Sequence, residues 1–226
     1  MKILLLFLTL WSTSLGQAKT VGPCVGSVGS TDAYFLFRPG ESELALRLSV
    51  LSESGEIVTN VDAKSSAIDD FVAKFHVTQL ESGTPYRYQI AELASSGEPK
   101  LIAAGDELKF RTVDVSRKSK VTAVLISCVS KADTAPVWEE IGRLSPDLLC
   151  LSGDTPYIDT SKLEDVRRKH RALLNEAPLA SLARRTPVVG IWDDHDFGLN
   201  NGNGRNLQDG KAATRKAFVE YRAHRS

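Results

Sequence analysis

Three stretches in the second half of the chain decide its fold: VTAVLISC at residues 121–128, DLLCLSGDTPYID at 147–159 and PVVGIWDDHDFGLNN at 187–201. Each opens on a short apolar run of the kind that forms a strand buried on both faces of a parallel sheet. Between them lie APVWEEIGRL (135–144) and LEDVRRKHRALL (163–174), whose apolar residues recur every three to four positions, the spacing of one helix face. Strand, helix, strand, helix, strand predicts a parallel α/β unit. Polar residues gather at the carboxyl end of each run, where open α/β sheets bind ligands. These are Ser127 and Cys128, then Gly153, Asp154 and Tyr157, then Asp193, Asp194, His195 and Asp196, followed by Asn200 and Asn201 in a Gly-rich loop.

A thiol, carboxylates, a phenol, an imidazole and amides at one sheet edge make poor core but a good metal site. The anionic donors Cys128 and Tyr157 suit iron, whereas Asp194 and Asn200 offer the oxygens a harder ion prefers. Asp154 has two oxygens with which to bridge two cations, and Gly153 before it permits close approach. Two ions roughly 3.5 to 4 Å apart would clamp a phosphate between them, with His195 placed to protonate a leaving alkoxide.

Toward the amino end the pattern changes. AYFLFRP, LALRLSVL, FVAKFHV, YRYQIAEL and LKFRTV alternate apolar and polar residues between Gly, Ser, Asn and Pro clusters, as in a β-sandwich over residues 21–114. LESGTPYRYQI resembles the corner of fibronectin type III domains, where an inward Tyr ties its hydroxyl to the preceding turn. The basic, polar segment 114–120 is the expected boundary, and residues 120–226 form the second unit.

Before all of this, MKILLLFLTLWSTSLGQAK reads as a secretory signal peptide over residues 1–18, cleaved after Gly16 or Ala18. An uncleaved anchor is the alternative, although the apolar run is about half of the ~20 residues a spanning helix needs. Export predicts a secreted or periplasmic protein. Among 226 residues, 42% are hydrophobic and 25% charged, which excludes disordered, collagenous and coiled-coil readings of the whole. The net charge of zero offers no global field for nucleic acid, yet it hides a balance of −6 over residues 21–114 and +4 over 115–226. Three cysteines are too few for a disulfide scaffold, and Cys24 and Cys150 read as structural.

LISC, SGDTPYID and GIWDDHDFGLNN, in that order behind a fibronectin-like segment, resemble the PhoD-like alkaline phosphatases and phosphodiesterases of the calcineurin-like metallophosphatase superfamily. The resemblance implies an α+β two-domain fold, a fibronectin type III-like β-sandwich followed by a partial metallophosphatase domain. It implies a ferric ion held by Cys128, Asp154 and Tyr157, with calcium, and Asp194 and Asn200 as further ligands. His195, with Asp194, matches the catalytic motif, and the implied substrate is a phosphate ester. Purple acid phosphatases are the neighbouring alternative. They would show Asp-x-Gly in the first motif and Gly-Asn-His in the third, where this chain has Ser127-Cys128 and Asp193-Asp194-His195.

The chain stops after ATRKAFVEYRAHRS, expected to be a helix that includes His224. The resemblance implies later ligands from beyond that point, so the expectation is a truncated catalytic unit that lacks ligands for activity and has one sheet face exposed. Other residues have plainer readings. His76 is a strand residue, His170 belongs to the solvated basic face of its helix, Asp193 caps a turn, and Trp192 packs in the core or walls a substrate site. A reading from another class is an extracellular binding module in which the sandwich carries the function.

Overall fold

The computed structural model describes residues 20–94, 97–116, 120–129, 135–206 and 210–224. The expected signal peptide lies outside the described residues. Eight strands come first: β1 (Val21–Val28), β2 (Ala33–Arg38), β3 (Ala45–Leu51), β4 (Ile57–Lys64), β5 (Ala73–Val77), β6 (Pro85–Glu92), β7 (Lys100–Ala103) and β8 (Lys109–Arg111). They form an antiparallel sheet β1-β2-β5 and a second sheet ordered β4-β3-β6-β7, with β8 pairing β6. The alternating apolar residues of both sheets meet in one core. Phe35 lies 4.8 Å from the ring of Tyr88 and edge-on to Phe110 at 5.2 Å, among Leu46, Leu48, Val50 and Ile90. The Tyr86 hydroxyl accepts the Glu81 amide at 2.9 Å, closing the corner that LESGTPYRYQI announced. The sequence reading passed over β4, because IVTNVDAK is polar and half-exposed, as suits an edge strand.

The second half runs β9 (Ala123–Ile126), α1 (Ala135–Arg143), β10 (Leu148–Ser152), α2 (Leu163–Leu174), α3 (Ala177–Ala183), β11 (Val188–Ile191), α4 (Asp194–Phe197) and α5 (Lys211–Glu220). The strands are parallel and ordered β11-β10-β9, with Leu149 opposite both Val188 and Val124. Leu149, Leu151 and Val188 face Trp138, Ile141, Leu179 and Leu182 of α1 and α3. The other face is open: Leu125 is 70% and Ile191 62% exposed. These strands are thus buried on one face only, which corrects the reading from their apolar runs and agrees with the expected exposed face. An apolar run records that a strand has no polar side, and says nothing about whether a second layer covers it.

The two halves are joined by buried polar contacts. Asp70 accepts from Arg171 and from the Tyr221 hydroxyl, and Arg38, 1% exposed, donates to its carboxylate at 3.3 Å and to its carbonyl at 2.8 Å. Arg167 forks onto Glu220 at 2.6 and 2.9 Å and reaches the Ile68 carbonyl at 2.8 Å. Tyr88 donates to the Arg184 carbonyl at 2.8 Å, and the Ser27 amide to that of Ala223 at 2.7 Å. At Gly26 a Cβ would fall 1.6 Å from the Ala223 oxygen, so only glycine lets β1 and the segment after α5 come this close.

This contact overturns two expectations. His170 is not on a solvated face; it is 1% exposed, stacked on Tyr221 at 5.6 Å, because α2 is wedged between the sandwich and α5. Burial, then the charge of Arg222, pushes its pKa well below the ordinary value, so it is neutral. His224 is not helical, since α5 ends at Glu220; its ring lies 6.3 Å from Phe218. His76 is in β5, stacked on Tyr34 at 4.0 Å and 3.1 Å from an Asp32 oxygen. All three cysteines are free, and burial pushes the Cys24 thiol up to about 12 against the charges of Arg184 and Arg222. Among the described residues no helix is long and apolar enough to cross a membrane.

At Asp70 burial raises the carboxyl pKa, but the hydrogen bonds of Tyr221 and Arg171 and the charges of Arg171 and Arg38 outweigh it, leaving it below the usual range. A carboxyl so depressed contributes stability that is complete above its unfolded pKa of about 3.9 and is lost as pH falls through the folded value. Asp70→Asn is expected to cost about 2 to 3 kcal/mol at neutral pH. It should also make the loss of stability below about pH 4 shallower than in the wild type, as read from urea midpoints across a pH series.

Candidate metal centre

The carboxyl ends of β9, β10 and β11 lie side by side, and the backbone turns sharply after β9 and after β10. Cys128, Asp154 and Asp159 all have left-handed backbones, with φ of 56°, 51° and 48°. Such conformations cost on the order of 1 kcal/mol or more each for residues with a side chain, and they persist where surrounding contacts enforce them. Gly153, at φ +93°, precedes Asp154 and is pressed against the next turn: a Cβ there would lie 2.7 Å from the Cβ of Asp193. The sequence reading assigned Gly153 to the approach of a metal. In the structure its missing side chain admits Asp193.

The turns bring most of the expected residues together. One ligand atom each from Asp154, Asp194 and His195 lies within 4.8 Å of the others. The Cys128 thiol points at Asp154 Oδ2 from 3.7 Å. Tyr157 is hydrogen-bonded to Cys128, and its ring meets that of His195 at 4.3 Å between centroids. That bond, then burial and the charges of Cys128, Asp154 and Asp159, pushes the phenol above its ordinary pKa. Asn200 is exposed in the turn beyond α4, and it is the backbone amide of Asn201 that donates to Asp194. This amide is the chief reason the Asp194 carboxyl sits below its usual range.

Asp154 Oδ1 is buried and has no hydrogen-bond partner among the described residues. A buried carboxylate oxygen without a partner costs roughly 1 to 3 kcal/mol or more, and a cation relieves that cost. The thiol, phenol, carboxylates and imidazole gathered beside Asp154 are a donor set that fits a transition metal. The residues present therefore fit a metal ion.

Asp159, Asp196 and Arg222 have no assigned role in the sequence pattern, yet each contributes to the site. Asp159 accepts a hydrogen bond from His195 Nδ1, and this bond, ahead of the other charges, raises the imidazole pKa. Its position four residues before the helix LEDVRRKHRALL gave it the look of a loop residue. Asp196 completes a capping box with Asp193 at the start of α4 and also accepts the Asp154 amide at 2.6 Å. Burial raises its carboxyl pKa, against the pull of the Asp193, Asp154 and Thr155 amides and of Arg222. Arg222 is itself buried and donates to the Thr155 carbonyl at 3.1 Å. Asp193 caps α4 as expected, and Trp192, 38% exposed, packs on Phe218 at 5.0 Å and edge-on to Phe197 at 5.8 Å. The spacing of Asp193 and Asp196 was the one sequence signal that a capping box was present.

Neither a family model nor a curated protein matches this chain. Solved structures do. The structure of PhoD superposes with a TM-score of 0.74 over 89% of this chain and 45% of its own, at 17% identity. A purple acid phosphatase isolated from yellow lupin (Lupinus luteus) seeds superposes with a TM-score of 0.65 over 88% of this chain and 40% of its own, at 12% identity. The chain thus shares the fold of these two structures over nearly all its length, a mixed α/β arrangement with sandwich-like sheets. It spans less than half the length of either neighbour.

Gly153→Ala is expected to destabilise the protein by about 2 to 3 kcal/mol, through both backbone strain and the collision with Asp193. Gly55, at φ +89° with nothing within 4 Å of an added Cβ, isolates the backbone part. Gly55→Ala should cost only about 1 kcal/mol in the same urea titration.

Proposed function

We propose that this chain is the site-bearing part of an exported, metal-dependent phosphoric ester hydrolase of the PhoD-like alkaline phosphatase and phosphodiesterase type. Its organisation would be a fibronectin-like unit at residues 21–114 and a metallophosphatase unit from residue 120. The observation that carries the reading is the convergence of Asp154, Asp194 and His195 within 4.8 Å around a partnerless buried carboxylate oxygen. Export rests on the leader-like residues 1–18. The fold likeness to PhoD and to a purple acid phosphatase supports the reaction class.

Cys128, Asp154 and Tyr157 would hold a ferric ion, and Asp194 with Asn200 would serve a calcium ion, as the family resemblance implies. Ions there would supply Lewis acidity, drawing charge from the phosphoryl oxygens. The chain's own groups explain why cations are needed. Asp154, Asp159, Asp193, Asp194 and Asp196 crowd one sheet edge, and a phosphate ester meets repulsion there until positive charge offsets them. Asp159 occupies His195 Nδ1, which fixes the ring and leaves Nε2 as the nitrogen able to give a proton to the leaving alkoxide. The Tyr157 ring, packed against the imidazole, restricts it further.

Two measurements test the reading. Iron-loaded protein should show a visible phenolate-to-iron charge-transfer band that Tyr157→Phe abolishes; protein that stays colourless after iron and calcium supplementation contradicts it. Hydrolysis of a generic phosphodiester at alkaline pH should be lost in Asp154→Asn and fall about 10²- to 10⁴-fold in His195→Ala.

A further inference from the structure

Asp196 does more than cap a helix. In the capping box at the start of α4, its carboxyl accepts the Asp193 amide at 3.0 Å, a contact that serves the helix alone. The same oxygen, Oδ2, accepts the Asp154 amide at 2.6 Å, and this bond leaves the helix altogether. It crosses 42 positions of sequence to the turn after the neighbouring strand. A four-residue helix gains nothing from holding that amide.

The Asp154 turn has reason to need it. Gly153 and Asp154 both lie at positive φ, so the backbone that aims the Asp154 carboxylate sits in a conformation it would leave if released. The turn is held from both sides: Asp196 takes the Asp154 amide, and Arg222 donates to the carbonyl of the next residue, Thr155. Asp196 thereby ties the residue before Asp194 and the amide of Asp154 to a single oxygen, setting the spacing between two residues of the metal cluster.

We infer that Asp196 is a positioning residue of the metal centre, whose carboxyl oxygen staples the Asp154 turn to the Asp193–Asp194 turn and so sets the geometry of the ligand pair. The inference rests on the metal-dependent reading above. It goes beyond it by assigning a role to a residue that need not touch metal or substrate.

The test is manganese(II) binding by isothermal titration calorimetry, with amide hydrogen exchange of the metal-free protein. Asp196→Ala should weaken manganese binding about 10- to 100-fold, the effect of losing an outer partner of a metal ligand. It should also accelerate exchange at the Asp154 amide while leaving that of Leu149 in the middle of β10 unchanged. Asp196→Asn keeps an oxygen acceptor and should restore binding to within about threefold and the Asp154 protection with it. Asp193→Ala removes the other half of the capping box and none of the cross-turn bond, and should leave binding within the same range. If Asp196→Ala fails to fold, Asp196→Glu, which retains the carboxyl but moves its oxygens by one carbon, should show the same losses. Wild-type binding with unchanged affinity in the Ala or Glu variant overturns the inference and spares the metal reading. Equal losses in Asp193→Ala and Asp196→Ala also overturn it, because the helix cap would then account for both. A wild-type protein that takes up neither manganese nor calcium nor iron overturns both readings.

Discussion

The segment that follows α5 is the part on which the rest of the structure depends. Within three consecutive residues it makes three different attachments. Tyr221 gives its hydroxyl to Asp70 at the edge of the sandwich, Arg222 reaches the Thr155 carbonyl beside the Asp154–Asp194–His195 group, and the Ala223 carbonyl takes the Ser27 amide of β1. None of these bonds is large by itself; each is worth on the order of 1 to 3 kcal/mol when one partner is charged or buried. Their effect comes from where they fall. A strand pair, a buried charge network and the turn bearing Asp154 are tied to a single short run of backbone, so displacement of that run would disturb all three at once. Gly26 is the complement of the arrangement, since any side chain there would keep β1 away from Ala223.

The burial of Arg38, Asp70, Arg167 and Glu220 follows from the same constraint. Charges are taken from water only where partners with good geometry compensate for lost hydration. Asp70 is paired with Arg38 of its own half and with Arg171 and Tyr221 of the other, and Arg167, paired with Glu220 in its own half, reaches across to the Ile68 carbonyl. Sandwich and α/β unit are therefore held in register by directional bonds as well as by the apolar patch of Val21, Leu36, Val72, Leu174 and Tyr221. An apolar patch alone would tolerate sliding; the charge-assisted bonds from Arg171 to Asp70 and from Arg167 to the Ile68 carbonyl do not. This matters to the site because the residues at the ends of β10 and β11 are held partly from beneath, through Arg222.

Chemistry at the strand ends was legible because it is local. SGDTPYID and GIWDDHDFGLNN each set their polar residues directly after an apolar run, and strand ends of a parallel sheet are where such residues converge. For the same reason the β-sandwich corner could be read: Tyr86 bonds an amide only five residues away. The helix at 163–174 appeared with its observed bounds, yet its basic face was misjudged. A helix periodicity shows which residues share a side and is silent about what will be packed against it, and Arg167 and His170 proved to be covered by α5 and the sandwich. The seven-residue α3 and the polar edge strand β4 were missed because neither has the length or contrast that makes a pattern.

Local pattern along the chain set the order and type of the principal elements and the polar residues at their ends: Cys128, Asp154, Tyr157, Asp194 and His195. Periodicity and motif spacing are properties of neighbouring residues, and both can be read along one dimension. Only the closed chain shows which of those donors meet, that Asp159 partners His195, that Asp196 spans two turns, that Arg222 holds the turn bearing Asp154, and that Asp70 joins the halves. The bonds from Cys128–Asp154 to Tyr221–Asp70 link residues 26 to 151 positions apart. Their strength depends on burial and on angles that arise only when the chain has closed on itself.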